Sequence, residues 1–78
     1  MGFRYFEHAE TNLADRKIPK RLLMNVVLNP DLVVEGKKGR KIAQKLVGNK
    51  LLRVVYTSHG KTYIVVTAYY AKYGRYHK

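Results

Sequence analysis

Residues 40–57 read RKIAQKLVGNKLLRVVYT. Two runs rich in β-branched and aliphatic residues flank Gly48-Asn49, and a two-residue connection of that composition is a hairpin signal. Such a turn sets Val47 opposite Lys50, Leu46 opposite Leu51 and Gln44 opposite Arg53. Side chains alternate across a strand, so one face of the hairpin carries Ile42, Gln44, Leu46, Leu51, Arg53 and Val55. The other carries Lys41, Ala43, Lys45, Val47, Lys50, Leu52, Val54 and Tyr56. Neither face is purely apolar. The first is expected beneath the helices, and the second is expected to form a concave surface of lysines and tyrosines.

Working outward, Leu32-Val33-Val34 before the hairpin and Thr62 to Tyr70 after it have the same strand character. GKKG and SHG turn signals separate these runs, giving an antiparallel meander of four strands. A slip of one residue at the SHG turn would swap every side chain of the last strand between faces. Upstream, Phe6, Ala9 and Leu13 fall at helical spacing, which predicts a helix over 3–16 with Phe3 and Ala14 at the edges of its stripe. Ile18-Pro19 breaks that pattern and starts a second helix over 19–28, burying Leu22, Leu23, Val26 and Val27 and stopping at Asn29-Pro30. The expected fold class is α+β, with two N-terminal helices packed on a four-stranded antiparallel sheet. Residues 1–78 form one domain, because a chain this short cannot bury a second core.

Sixteen Lys and Arg against five Asp and Glu give a formal charge of +11, and no acid follows Glu35. A field of that sign and size concentrates phosphate backbones and makes their binding salt-dependent, which points to a polyanionic partner. Without cysteine there is neither a disulfide framework nor a thiolate metal site. No apolar run approaches the length of a bilayer span, and a cytoplasmic, non-membrane protein is expected.

Cations and aromatic rings interleave in the C-terminal half: Tyr56, Tyr63, Tyr69, Tyr70, Tyr73 and Tyr76 alternate with Lys61, Lys72, Arg75 and Lys78. Rings that stack on bases and cations that meet phosphates hold single-stranded RNA in this way, although each tyrosine equally suits ordinary strand packing. The Gly36–Lys41 loop places Lys37, Lys38, Arg40 and Lys41 between and beside glycines, either as a grip on a nucleic-acid backbone or as a solvated turn. It is no nucleotide P-loop, since no helix opening on Lys-Ser or Lys-Thr follows.

His8, His59 and His77 lack metal-ligand spacing, so neither metal nor cofactor is expected. His8 is the candidate proton carrier, because histidine as a residue type titrates near neutrality. His59 reads as a turn residue. Arg53 interrupts the apolar run LLRVVY, which calls for a solvent-facing position, an acidic partner such as Glu35 or Glu7, or an anionic ligand. With no Ser–His–acid set and no paired carboxylates, catalysis would rest on oriented cations and an RNA 2′-hydroxyl nucleophile.

The runs HAETNLADRKI, NPDLVVEGKKGRKIAQKLVGNKLLRVVY and YIVVTAYYAKYGRY, in that order, resemble an uncharacterised family of small proteins related to RelE- and BrnT-like toxins. The resemblance implies the microbial ribonuclease type of fold and a metal-independent endoribonuclease, the toxin of a toxin–antitoxin pair. RNA, with mRNA and the ribosome as contexts, and a cognate antitoxin are the implied partners. The family features fall on His8 and Arg16, on Gly39-Arg40-Lys41, on Arg53, on Thr67 and on Arg75-Tyr76. Lys17 departs from the pattern, standing where glycine is frequent, as does Asn12, where a charged residue is frequent. The expected catalytic set is His8, Lys41, Arg53 and Tyr76. The expected RNA contacts are Arg16, Lys38, Arg40, Lys45, Tyr56, Thr67, Tyr69, Lys72 and Arg75. The alternative is a non-catalytic RNA- or DNA-binding module with the same surface.

Overall fold

Phe3 and Tyr5 point to one side of the backbone and Arg4 to the other, the period of a strand rather than a helix. A computed structural model describes residues 2–72. In it Gly2–Tyr5 forms β1, followed by α1 (Glu7–Asp15), α2 (Lys20–Leu28), β2 (Leu32–Glu35), a 3-10 turn (Lys37–Gly39), β3 (Lys41–Val47), β4 (Lys50–His59) and β5 (Thr62–Lys72). The sheet has five strands in the order β1-β5-β4-β3-β2. β1 runs parallel to β5, whereas every other neighbouring pair is antiparallel.

This corrects the expected four-stranded antiparallel sheet and the expected first helix over 3–16. Two helices are present, but the first starts at Glu7. A four-residue strand shows barely two alternations, and its partner lies some sixty residues away, so its pairing leaves no local signal.

The hairpin between β3 and β4 has the expected register, with Val47 opposite Lys50, Leu46 opposite Leu51 and Gln44 opposite Arg53. The faces are reversed. Both helices cover Ala43, Leu52, Val54, Tyr56, Val65 and Ala68, against which Ala9, Leu13, Leu23, Val26 and Val27 pack. Complete burial of one such aliphatic side chain stabilises by about 1.5–3 kcal/mol. The lysines that made this face look solvent-exposed sit at its margins, where a long stem can cover apolar surface while the ammonium turns outward. Lys45 behaves so: its Nζ donates to the Asn29 carbonyl at 2.9 Å and lies 3.7 Å from Asp31.

Between Val55 and Tyr56 the pairing of β4 with β5 shifts by one residue, leaving Val66 as the extra residue of a bulge on β5. The shift lets Val65 and Ala68 both reach the core although they are three residues apart.

Helix α1 closes with the Ile18 amide donating to the Leu13 carbonyl and the Lys17 amide to the Ala14 carbonyl. This paired pattern puts the residue after the C-cap in the left-handed region, and Lys17 adopts φ 55° there. The conformation explains why glycine would suit this position. Lys17→Gly is expected to raise stability by a few tenths to about 1 kcal/mol, because relief of Cβ strain outweighs the greater chain entropy of glycine. Chemical denaturation measures this, and a loss of stability would contradict the assignment.

The Tyr5 hydroxyl is buried without a hydrogen-bond partner, beneath a ring that the Lys20 ammonium overlies at 4.6 Å. Burial raises its pKa above the ordinary phenol value; Lys20 opposes the rise and Glu10 adds to it. Because the folded state holds the phenol proton more tightly, this contribution is complete below pH 10.0 and is lost as pH climbs from there towards the raised value. Tyr5→Phe is expected to gain about 1 kcal/mol at neutral pH by removing an unsatisfied hydroxyl. Its stability should also fall less steeply than wild type above pH 10.0 in pH-dependent melts.

Candidate nucleic-acid interface

The second face of the sheet carries Leu32 and Val34 from β2, Ile42, Gln44 and Leu46 from β3, and Leu51, Arg53, Val55, Thr57 and His59 from β4. Among the described residues no helix lies over it. Leu51, Gln44 and Arg53 are nevertheless buried there, while Leu32 and Leu46 are 48% and 43% exposed. The face therefore divides into an apolar part over β2 and β3 and a polar strip along β4, β5 and β1.

Arg53 organises the strip. It retains only 8% of its surface and lies between its cross-strand neighbours Gln44 on β3 and Tyr69 on β5. Its Nη1 donates to Gln44 Oε1 at 2.7 Å and its Nε to Tyr69 Oη at 3.1 Å. The guanidinium carbon is also 5.9 Å from the Tyr69 ring centroid. Gln44 and Tyr69 are neutral acceptors, so these two bonds orient the fork without adding an opposing charge. A hydroxyl that accepts from an arginine can still donate its own proton, which makes Tyr69 a second donor on this surface.

The strip continues over the edge of β5. β1 pairs with β5 only from Thr62 to Val65, after which Phe6 donates to the Val65 carbonyl and the chain turns into α1. Beyond that point α1 supplies side chains where a strand would supply amides. Asn12 Nδ2 donates to Thr67 Oγ1 and Arg16 Nη1 to the Ala68 carbonyl, both at 2.6 Å. His8 lies one turn before Asn12 on the same stripe of α1 and is exposed. His8, Arg16, Thr67, Tyr69 and Arg53 thus form one band crossing from helix to sheet.

The other expected site residues lie apart from this band. Lys41 is exposed but pairs with Tyr56, so alternation puts it on the face opposite Arg53. The two do not converge on one phosphate. Tyr56 is 7% exposed and packs edge-on against Tyr63 at 5.7 Å in the core, with burial raising its pKa and Tyr63 and Glu35 adding to the rise. Its ring is unavailable for base stacking. Lys45 is held by Asn29 and Asp31 on the helix-covered side.

Lys38 and Arg40 belong to the turn between β2 and β3, where Lys38 takes φ 59° and Arg40 donates its amide to the Lys37 carbonyl. Lys72 ends β5 opposite Lys50. Arg75 and Tyr76 lie outside the described residues. Gln44 and Asn12 belong to the band although sequence reasoning gave them no role. The signal for Gln44 was present in the register that set it opposite Arg53, whereas Asn12 required the packing of α1 on β5.

Among the described residues the sheet face that carries Arg53 bears no Asp or Glu side chain, although Asp15 stands on the same stripe of α1 as His8. Glu7, Glu10 and Asp15 are on α1, Glu35 faces the helix side opposite Lys41, and Asp31 accepts from the Leu46 amide at 2.9 Å. Among the described residues no group of three His, Cys, Asp or Glu side chains is placed to hold a metal, and no helix is long and apolar enough to cross a membrane.

The family model described as a domain of unknown function, DUF4258, matches residues 5–70, and the chain belongs to that family. No curated protein and no solved structure matches it.

Gln44 supports a buried cation, so its loss leaves a donor without its acceptor. Gln44→Ala is expected to lower stability by about 2 kcal/mol, within the usual range for a bond to a charged group, and Tyr69→Phe by about 1 kcal/mol, the size of an ordinary hydrogen bond. Urea denaturation distinguishes this from an exposed polar pair, whose removal would change stability by less than about 0.5 kcal/mol.

Proposed function

For this DUF4258 domain we propose that the polar strip binds single-stranded RNA and that the protein is a metal-independent endoribonuclease of the toxin type. The observation that carries the reading is one of charge placement. One sheet face holds Arg53 and Tyr69, and among the described residues no Asp or Glu side chain shares that face. A surface of that kind attracts phosphates. The likeness of the ordered sequence runs to RelE- and BrnT-like toxins supplies the catalytic half of the proposal, and with it a cognate antitoxin as partner.

Cleavage needs no group that the chain lacks. The RNA 2′-oxygen attacks the adjacent phosphorus and the bond to the 5′-oxygen breaks. The 2′-hydroxyl proton passes to a base, and the departing 5′-oxygen takes up a proton. The products are a 2′,3′-cyclic phosphate and a 5′-hydroxyl. Arg53, braced by Gln44, binds the phosphate and the charge that builds on it. Tyr69 offers a hydroxyl donor beside it. His8, exposed on the stripe that borders β5, moves the proton.

In the presence of chelator, the purified protein should cut single-stranded RNA and leave 2′,3′-cyclic ends. His8→Ala, at an exposed position, should slow cleavage by about 10²- to 10⁴-fold with RNA affinity and folding retained. RNA that is bound but left intact over long incubation would overturn the enzyme reading in favour of a non-catalytic binding module.

A further inference from the structure

We propose a second phosphate-binding subsite on the same face, formed by Arg4 of β1 and His59 at the tip of the β4–β5 hairpin, which takes the RNA backbone several nucleotides from the scissile phosphate. The inference rests on the reading of this face as an RNA interface.

Arg4 is turned onto this face by the pleat, since Phe3 and Tyr5 on either side of it pack into the core. Its register partner is Ile64 of β5. His59 reaches the same face by alternation from Arg53 through Val55 and Thr57, because the bulge lies on β5 and leaves β4 regular. A cleft lined by Arg4, His59, Gly60, Thr62 and Ile64 brings the two together. Both side chains are exposed, and among the described residues neither forms an ion pair.

A lone arginine near a hairpin tip would count as solvated surface. These two residues differ because they are aligned with Arg53 on one sheet face that bears no Asp or Glu side chain among the described residues. His59 stands six residues beyond Arg53 along β4, or about 20 Å at the usual rise of a strand. Thr57, Thr62 and Thr67 lie between or beside them, offering hydroxyls and little bulk. An extended strand of RNA laid along β4 and β5 would meet cations at both ends of its path and uncharged hydrogen-bonding groups between.

The test is the double variant Arg4→Gln, His59→Gln, measured by fluorescence anisotropy with a single-stranded RNA of about ten nucleotides over a range of salt, a length typical of small single-strand-binding domains. Its affinity should fall about tenfold or more, as expected for loss of charge-assisted contacts. The slope of log K against log salt should become shallower by about 0.7 for one lost phosphate contact. The cleavage rate at saturating RNA should stay within about twofold of wild type, since neither residue borders Arg53 in the sheet.

Wild-type binding matched by the double variant in both affinity and salt slope would overturn the subsite and leave the functional reading intact. Loss of the saturated cleavage rate would also overturn it, by placing the pair at the reacting phosphate. A wild-type protein that binds no RNA would overturn both. A matching thermal melt for the double variant excludes misfolding, which is not expected at two exposed positions.

Discussion

The fold depends on satisfying both edges of β5. At eleven residues it is the longest strand, and β4 pairs with one side of it for nearly its whole length. The other side must meet hydrogen-bonding partners or be left to water and to stray strands. Three pieces of the N-terminus divide that edge: β1 covers Thr62 to Val65, the Phe6 amide caps the Val65 carbonyl, and Arg16 reaches the Ala68 carbonyl while Asn12 holds the Thr67 hydroxyl. The placement of α1 over the sheet follows from this edge, and α2 is then delivered across β3 and β4 by the turn at Lys17.

The same arrangement decides which face is left without helices. Once α1 runs along β5 on the side of Val65 and Ala68, the helical layer lies over Ala43, Leu52 and Val54, and Arg53 belongs to the opposite surface. A guanidinium as buried as Arg53 would be costly in a purely apolar setting. Gln44 and Tyr69 reduce that cost through hydrogen bonds that add no opposing charge. Polar residues on the two strands flanking β4 thereby hold one cation in a fixed orientation, the condition under which a charged group stabilises developing charge without reorganising.

Elements with a long periodic signal were legible in the sequence. The Gly48-Asn49 hairpin, its register and the start of α2 after Pro19 follow from local rules about turns and proline. What was not legible depended on distant partners. β1 exists because β5 needs it, and the bulge at Val66 is visible only when two strands are compared. The covered face was misread because lysines were counted as outward-facing, whereas Lys45 runs its stem along the helix side and ends on Asn29 and Asp31. Of the site, Arg53 stood out as a cation in an apolar run. Arg4 was hidden inside a supposed helix, and His59 inside a turn.

Position in the band sets what each residue can reveal. Arg16 and Thr67 close the β5 edge, so changing either perturbs the packing of α1 on the sheet as well as any contact with RNA. Arg53 and Gln44 are buried in one hydrogen-bonded pair, and loss of either leaves a polar group unsatisfied. Effects at these four positions mix stability with binding and are expected to be non-additive with one another. His8, Arg4 and His59 are different because they are exposed and support no described contact in the fold. A change in RNA binding or cleavage at those three has no structural route, which makes them the residues through which the chemistry of this surface can be separated from its architecture.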